Sequence, residues 1–124
     1  MKEKYKFGKI AQELIEKLES AGINAYIWHK ATTGSVYIRF EDNRIGSIRL
    51  GNHNGIDKYK YKFNIRSDIK FHAEGWRKEN DVWRYYIHAE HWRAIIPVLI
   101  RRKNQVKNWD SNKYQYGIPS YKKS

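Results

Sequence analysis

The sequence predicts an α+β fold, with an N-terminal and a C-terminal helix packed on an antiparallel sheet of four to five strands. Three patterns carry that expectation. Apolar residues recur at helical spacing from Phe7 to Ala21, short segments of period two follow, and helical spacing returns from about Ala89. The 124 residues fit one domain, and no low-complexity stretch divides them.

The first helix is marked by Phe7, Ile10, Ala11, Leu14, Ile15, Leu18 and Ala21, which fall on one face of a 3.6-residue period. Gly22 comes next, where a left-handed residue would close the helix. Four strands are then expected as a meander, over Ile23–His29, Ser35–Phe40, Ile45–Leu50 and Lys58–Arg66. The last is the clearest, with Tyr59, Tyr61, Phe63 and Ile65 on one face and Lys58, Lys60, Lys62, Asn64 and Arg66 on the other. Asp68–Asp81 has no clean period and contains Gly75, so it reads as a loop carrying the rings of Phe71 and Trp76. Val82–Ile87 is the optional fifth strand. In the second helix Trp92, Ile95, Ile96, Leu99 and Val106 share a face, and Pro97 is expected either to kink it or to mark its true start. Residues 111–124, rich in Tyr, Lys, Ser, Gly and Pro, read as a strapping arm or a flexible tail.

Twenty-five Lys and Arg against 13 Asp and Glu leave a formal charge of +12, a field that draws anionic partners. The chain has no cysteine, which excludes a disulfide framework, a thiolate metal site and a cysteine nucleophile. No apolar stretch approaches the roughly 18 residues that span a bilayer, so the expected place is the cytoplasm. Aromatic residues make up 15% of the chain, more than so small a core requires, and rings beside cations are what stacking a base and neutralising its phosphate would use.

Three constellations could hold such a ligand. The first is a cationic strand face of Arg39, Arg49, Lys58, Lys60, Lys62, Asn64 and Arg66, bordered by Tyr37; an ordinary solvated face would more often mix its signs. The second is Gly51-Asn52-His53-Asn54-Gly55, where glycines could turn backbone amides toward an anion with Asn52, His53 and Asn54 adding donors. A turn whose Asn and Gly residues serve only the backbone would read the same way. The third is the basic end of the second helix, Arg101, Arg102, Lys103 and Lys107, with Asn108 and Trp109 one turn on and Trp92 as a further ligand-binding candidate; solvated helix charge explains it almost as well.

Signals for catalysis are poor, and no cofactor or metal is expected. His88 and His91 flank Glu90 but lack a third ligand and the His-Glu-x-x-His spacing. No Walker-type glycine motif, Gly-x-Ser-x-Gly elbow or paired carboxylates stand out. His29, His53 or His72 could still serve as general base on a phosphodiester, a role no spacing excludes.

The stretches Gly34-Ser-Val-Tyr-Ile-Arg-Phe40, Gly46-Ser-Ile-Arg-Leu-Gly-Asn-His-Asn-Gly55 and Lys58-Tyr-Lys-Tyr-Lys-Phe-Asn-Ile-Arg66 look like small proteins of phage and mobile elements. With its size, flanking helices and Lys/Asn/Ile-rich composition, the chain resembles the first-described family of phage Thoeris anti-defence proteins. That resemblance implies a nucleotide sponge that binds cyclic ADP-ribose isomers made by bacterial TIR-domain enzymes. It also implies that the signal is held without cleavage, in the host bacterial cytoplasm, by a homo-oligomer; some members also bind cyclic oligonucleotides. The alternatives are a small basic nucleic-acid-binding module and a histidine-dependent phosphodiesterase.

Overall fold

The computed structural model describes residues 5–53 and 59–107. Helix α1 (Phe7–Ser20) is followed by strands β1 (Ala25–Lys30), β2 (Val36–Phe40), β3 (Ser47–Leu50) and β4 (Tyr61–Arg66). A hairpin of β5 (Gly75–Glu79) and β6 (Val82–His88) then leads into helix α2 (Ile95–Lys107), with 3₁₀ turns at Phe71–Ala73 and Ala89–Ala94.

The helix-spaced residues Phe7, Ile10, Ala11, Leu14 and Leu18 are all buried. At the end of α1, Gly22 takes φ 82° and donates its N–H to Glu19 O, while Ile23 N–H reaches Leu18 O at 2.8 Å. These are the two bonds of a glycine-closed helix end, and they satisfy the Leu18 and Glu19 carbonyls as the chain reverses into the sheet. Pro97 lies in the first turn of α2, where the first amides of a helix have no intrahelical acceptor, so it marks a start and makes no kink.

The α+β class stands, but the sheet is not the four-to-five-stranded antiparallel one the sequence implies. It has six strands in the order β1-β2-β3-β4-β6-β5. Pairs β1–β2, β2–β3 and β5–β6 are antiparallel, whereas β3–β4 and β4–β6 are parallel. Antiparallel neighbours can be joined by a tight turn, but parallel ones need a longer return. Residues 51–60 supply that return between β3 and β4, and the β5 arm lies within the one between β4 and β6.

The stretch 68–81, expected as a loop, contains β5. Its edge position leaves most of the strand in water, so Trp76, Arg77, Lys78 and Glu79 show no inside–outside alternation. Glu79 pairs with Val82, leaving Asn80 and Asp81 as a two-residue turn with φ of 52° and 67°. Two successive positive φ values match the twist of a hairpin, and Asn and Asp tolerate them best after glycine.

The helices cover one face of the sheet. Ile38, Ile48, Leu50, Phe63, Ile65 and Ile87 on that face, with Leu14, Leu18, Leu99 and Val106 of the helices, are at most 2% exposed. Each such side chain contributes about 1.5–3 kcal/mol by leaving water. Among the described residues, no helix is long and apolar enough to cross a membrane.

Arg102 of α2 holds this layer together. It is 2% exposed, donates to Arg44 O at 2.6 Å and Ile45 O at 3.1 Å, and lies 3.5 Å over the ring of Tyr61. The helix is thus fastened to the β2–β3 turn and to β4 together. Gly46, next in that turn, has φ 129°, and a Cβ there would stand 2.3 Å from Tyr61 O. Gly46→Ala is therefore expected to destabilise the fold by at least about 2 kcal/mol, through backbone strain and a shift of β3 from β4. Urea denaturation measures this, and an unchanged midpoint would contradict the assigned contact.

Candidate functional site on the open sheet face

On the face away from the helices, register places polar and aromatic residues in rows. One row runs Arg39, Ser47, Lys62, Arg84 and Arg77; the next runs Tyr37, Arg49, Asn64 and Tyr86. At its β1 end these rows meet Trp28 and His29 through a bulge. Ile27 pairs with Ile38 but His29 pairs with Tyr37, so Trp28 is the extra residue in β1. Strict alternation would put His29 on the helix face with Ile27; the bulge turns it over.

The result is a cavity of about 350 Å³ lined by Trp28, Tyr37, Arg39, Arg49, Tyr59 and Lys62, with His29 at its rim. The Trp28 ring stands edge-on to Tyr37 at 6.3 Å, and His29 lies 5.7 Å from the same ring. The Arg39 guanidinium sits 3.8 Å over Trp28 and 5.7 Å from Tyr59. Stacking occupies the face of a guanidinium and leaves its edge donors available. Among the described residues, none accepts a hydrogen bond from the Arg39 side chain.

Arg49 is only 4% exposed although, among the described residues, no helix covers this face. Its guanidinium donates to Tyr37 Oη at 3.3 Å, Gly51 O at 3.4 Å and Ser35 Oγ at 3.4 Å, and it lies 5.5 Å from the Tyr37 ring. These contacts are long, and every acceptor is neutral; among the described residues no carboxylate reaches it. Taking a cation out of water costs several kcal/mol after relaxation, and neutral oxygens at the limit of hydrogen bonding offset little of that. Lys62 beside it is 5% exposed and Asn64 6%. The centre of this face is therefore a set of buried polar side chains, two of them cationic, ringed by aromatics.

Of the residues expected to bind a ligand, the fold brings Tyr37, Arg39 and Arg49 into this cavity. Asn64 shares the row of Arg49 but spends its amide on Tyr85 O at 3.4 Å. Arg66 and Asn52 act on the structure instead. Arg66 grips Asp68 through Nε–Oδ1 at 2.8 Å and Nη2–Oδ2 at 2.9 Å, and donates to Asn52 O at 2.6 Å. Asn52 uses both ends of its amide on Ser67, donating to Oγ and accepting from its N–H, each at 2.9 Å. Gly51 packs so closely that a Cβ would lie 2.3 Å from Ser35 Oγ. The described part of this loop is a backbone turn tied to the end of β4. His53 is exposed beside it, while Asn54, Gly55 and Lys58 lie outside the described residues.

The third constellation is split. Trp92 is a core residue, 5% exposed. Arg102 is the buried clamp described above, and Arg101 is exposed on the far side of the sheet from Arg49. Trp109 and the tail 111–124 lie outside the described residues. His88 Nδ1 accepts the Glu90 N–H at 3.0 Å, and His91 Nδ1 lies 3.6 Å from Glu74 Oε2. Among the described residues, no three His, Asp or Glu side chains cluster in a way that could hold a metal.

The hydrogen bonds from Arg66 hold the Asp68 carboxyl below the usual aspartate range, and the exposed side chain of Asp68 limits what that contributes. A carboxyl whose folded pKa is depressed adds stability that is complete above its unfolded value and disappears as pH falls through the folded one. Asp68→Asn is therefore expected to cost no more than about 1 kcal/mol at neutral pH and to make stability less sensitive to acid below about pH 4. Chemical denaturation across pH 2–7 checks this; equal acid sensitivity would mean that the pair contributes nothing.

No protein-family model, curated protein or solved structure matches this chain.

Proposed function

We infer that the chain binds a phosphate-bearing nucleotide on the open sheet face and holds it without cleaving it. The observation that carries this reading is Arg49, a guanidinium buried on the face away from the helices with, among the described residues, only distant, neutral oxygens around it. A phosphate oxygen supplies the missing counter-charge, and it would meet the stacked Arg39 fork and the Lys62 ammonium in the same cavity. Trp28, Tyr37 and Tyr59 offer faces for a base, at about 1–3 kcal/mol for each stacked ring. The cavity falls at the lower end of the roughly 300–1,000 Å³ usual for small ligands, so it suits a nucleotide better than an extended polymer. Taken with the resemblance above, the ligand we propose is a cyclic nucleotide immune signal such as a cyclic ADP-ribose isomer. A homo-oligomeric sponge that sequesters this signal is the corresponding role.

One observation favours a second reading. The cations continue past the cavity through Arg84 to Arg77 at the β5 edge, a line along which a nucleic-acid backbone could lie. Thermal denaturation at about 150 mM salt, with cyclic ADP-ribose isomers, cyclic di- and trinucleotides and short DNA and RNA, separates the two. A cyclic nucleotide at a hundred times its Kd is expected to stabilise the fold by about 2.7 kcal/mol and to be recovered intact. Shifts given only by polynucleotides and lost as salt rises would transfer the face to nucleic acid. Recovery of a cleaved product would make the protein an enzyme.

Arg49→Met sharpens the test. Replacing a poorly compensated buried charge by an apolar side chain of similar length is often neutral or stabilising. The ligand-free variant is therefore expected to melt at or above the native temperature while its affinity falls at least tenfold. A variant that is both less stable and binds normally would overturn the role of Arg49.

A further inference from the structure

A second cavity lies on the opposite, helix-bearing face, where α2 stops short of covering the β4, β6 and β5 edge. Tyr61, Trp76, Trp83, Val98, Arg101 and Gln105 enclose about 430 Å³. Its walls are rings set at right angles: Trp76 meets Tyr61 at 6.0 Å and 88°, and Trp83 at 6.1 Å and 87°. Trp76 remains 41% exposed, so its ring presents apolar surface to the cavity.

The polar groups around these rings are donors. Arg101 is exposed and, among the described residues, has no hydrogen-bond or ion-pair partner. Gln105 Oε1 accepts from Arg102 Nη1 at 2.9 Å. A guanidinium can only donate, so the amide oxygen must face Arg102, and the Gln105 NH₂ is left to donate elsewhere. Among the described residues, the buried Trp83 indole N–H has no acceptor. Lys78 Nζ lies 5.4 Å from the Trp83 ring, and no carboxylate lines the cavity among the described residues.

Perpendicular aromatic walls also suit a quaternary ammonium, but Arg101, Arg102 and Lys78 oppose any cation here. The complementary ligand has a flat ring to pack against Trp76 and Trp83, and an acceptor-rich anionic group for Arg101 and Gln105. We propose that this cavity is a second binding site, for a small aromatic anion bearing a carboxylate or a phosphate. Because the two cavities lie on opposite faces of the sheet, this proposal does not depend on the open-face reading.

The test is quenching of intrinsic tryptophan fluorescence in the full chain by anthranilate and by adenosine 5′-monophosphate, each against its uncharged counterpart, anthranilamide and adenosine. Saturable binding of at least one anion is expected, at least tenfold tighter than its neutral counterpart. Arg101→Ala should weaken it at least tenfold, and Arg101→Lys should restore part of the loss. The exposed position of Arg101 keeps these variants folded, which circular dichroism verifies. Binding of anthranilate alone identifies the carboxylate class. Nucleotide binding that persists in Arg49→Met identifies the phosphate class. Equal affinity for charged and neutral ligands, wild-type affinity in Arg101→Ala, or no anion binding beyond nucleotide lost with Arg49→Met would each overturn the proposal.

Discussion

A guanidinium taken out of water keeps its charge, because its pKa lies too far above neutrality for it to shed a proton as a buried lysine can. Arg49 is in that position, 4% exposed, its acceptors among the described residues being neutral oxygens no closer than 3.3 Å. A protein meets such a cost either with a carboxylate of its own, as Arg66 finds in Asp68, or with a charge that arrives from outside. The contrast between these two arginines organises the sheet face. One closes a structural turn, and the other is the charge that the proposed ligand would meet.

The topology makes this possible. Placing β4 between two parallel neighbours puts its helix face, Tyr61, Phe63 and Ile65, deep in the core. The same placement draws Lys62 and Asn64 into the middle of the other face, far from either edge. The β1 bulge then adds Trp28 and His29 to the rim, and Trp28 becomes the plate on which Arg39 stacks. Arg102 works from the opposite layer, fixing α2 to the β2–β3 turn, so the strands that carry Arg39 and Arg49 are held in place.

Much of this was legible in the sequence. The spacing of α1, the left-handed Gly22, the alternation of β2 and β4, and the grouping of Tyr37, Arg39 and Arg49 follow from local rules. Strand direction did not, because alternation is the same for parallel and antiparallel pairs and only the length of the 51–60 connection bears on it. Strand β5 was missed because an edge strand in water has no apolar period to detect. His29 escaped the site because a bulge changes which face a residue joins without marking the sequence. Arg66, Asn52 and Arg102 fit the composition of a binding site, but their partners, Asp68, Ser67 and the carbonyls of Arg44 and Ile45, show that they hold the fold.

The most direct measurement follows the arginine side chains themselves, by recording the Nε–Hε resonances of the labelled protein during titration with a cyclic ADP-ribose isomer. The Arg39 and Arg49 signals are expected to shift together and saturate, while those of Arg66 and Arg102, already held by protein oxygens, stay in place. Shifts spread over all the arginines and suppressed by salt, with no selective response at Arg49, would contradict this expectation and reduce the open face to a general attraction for anions.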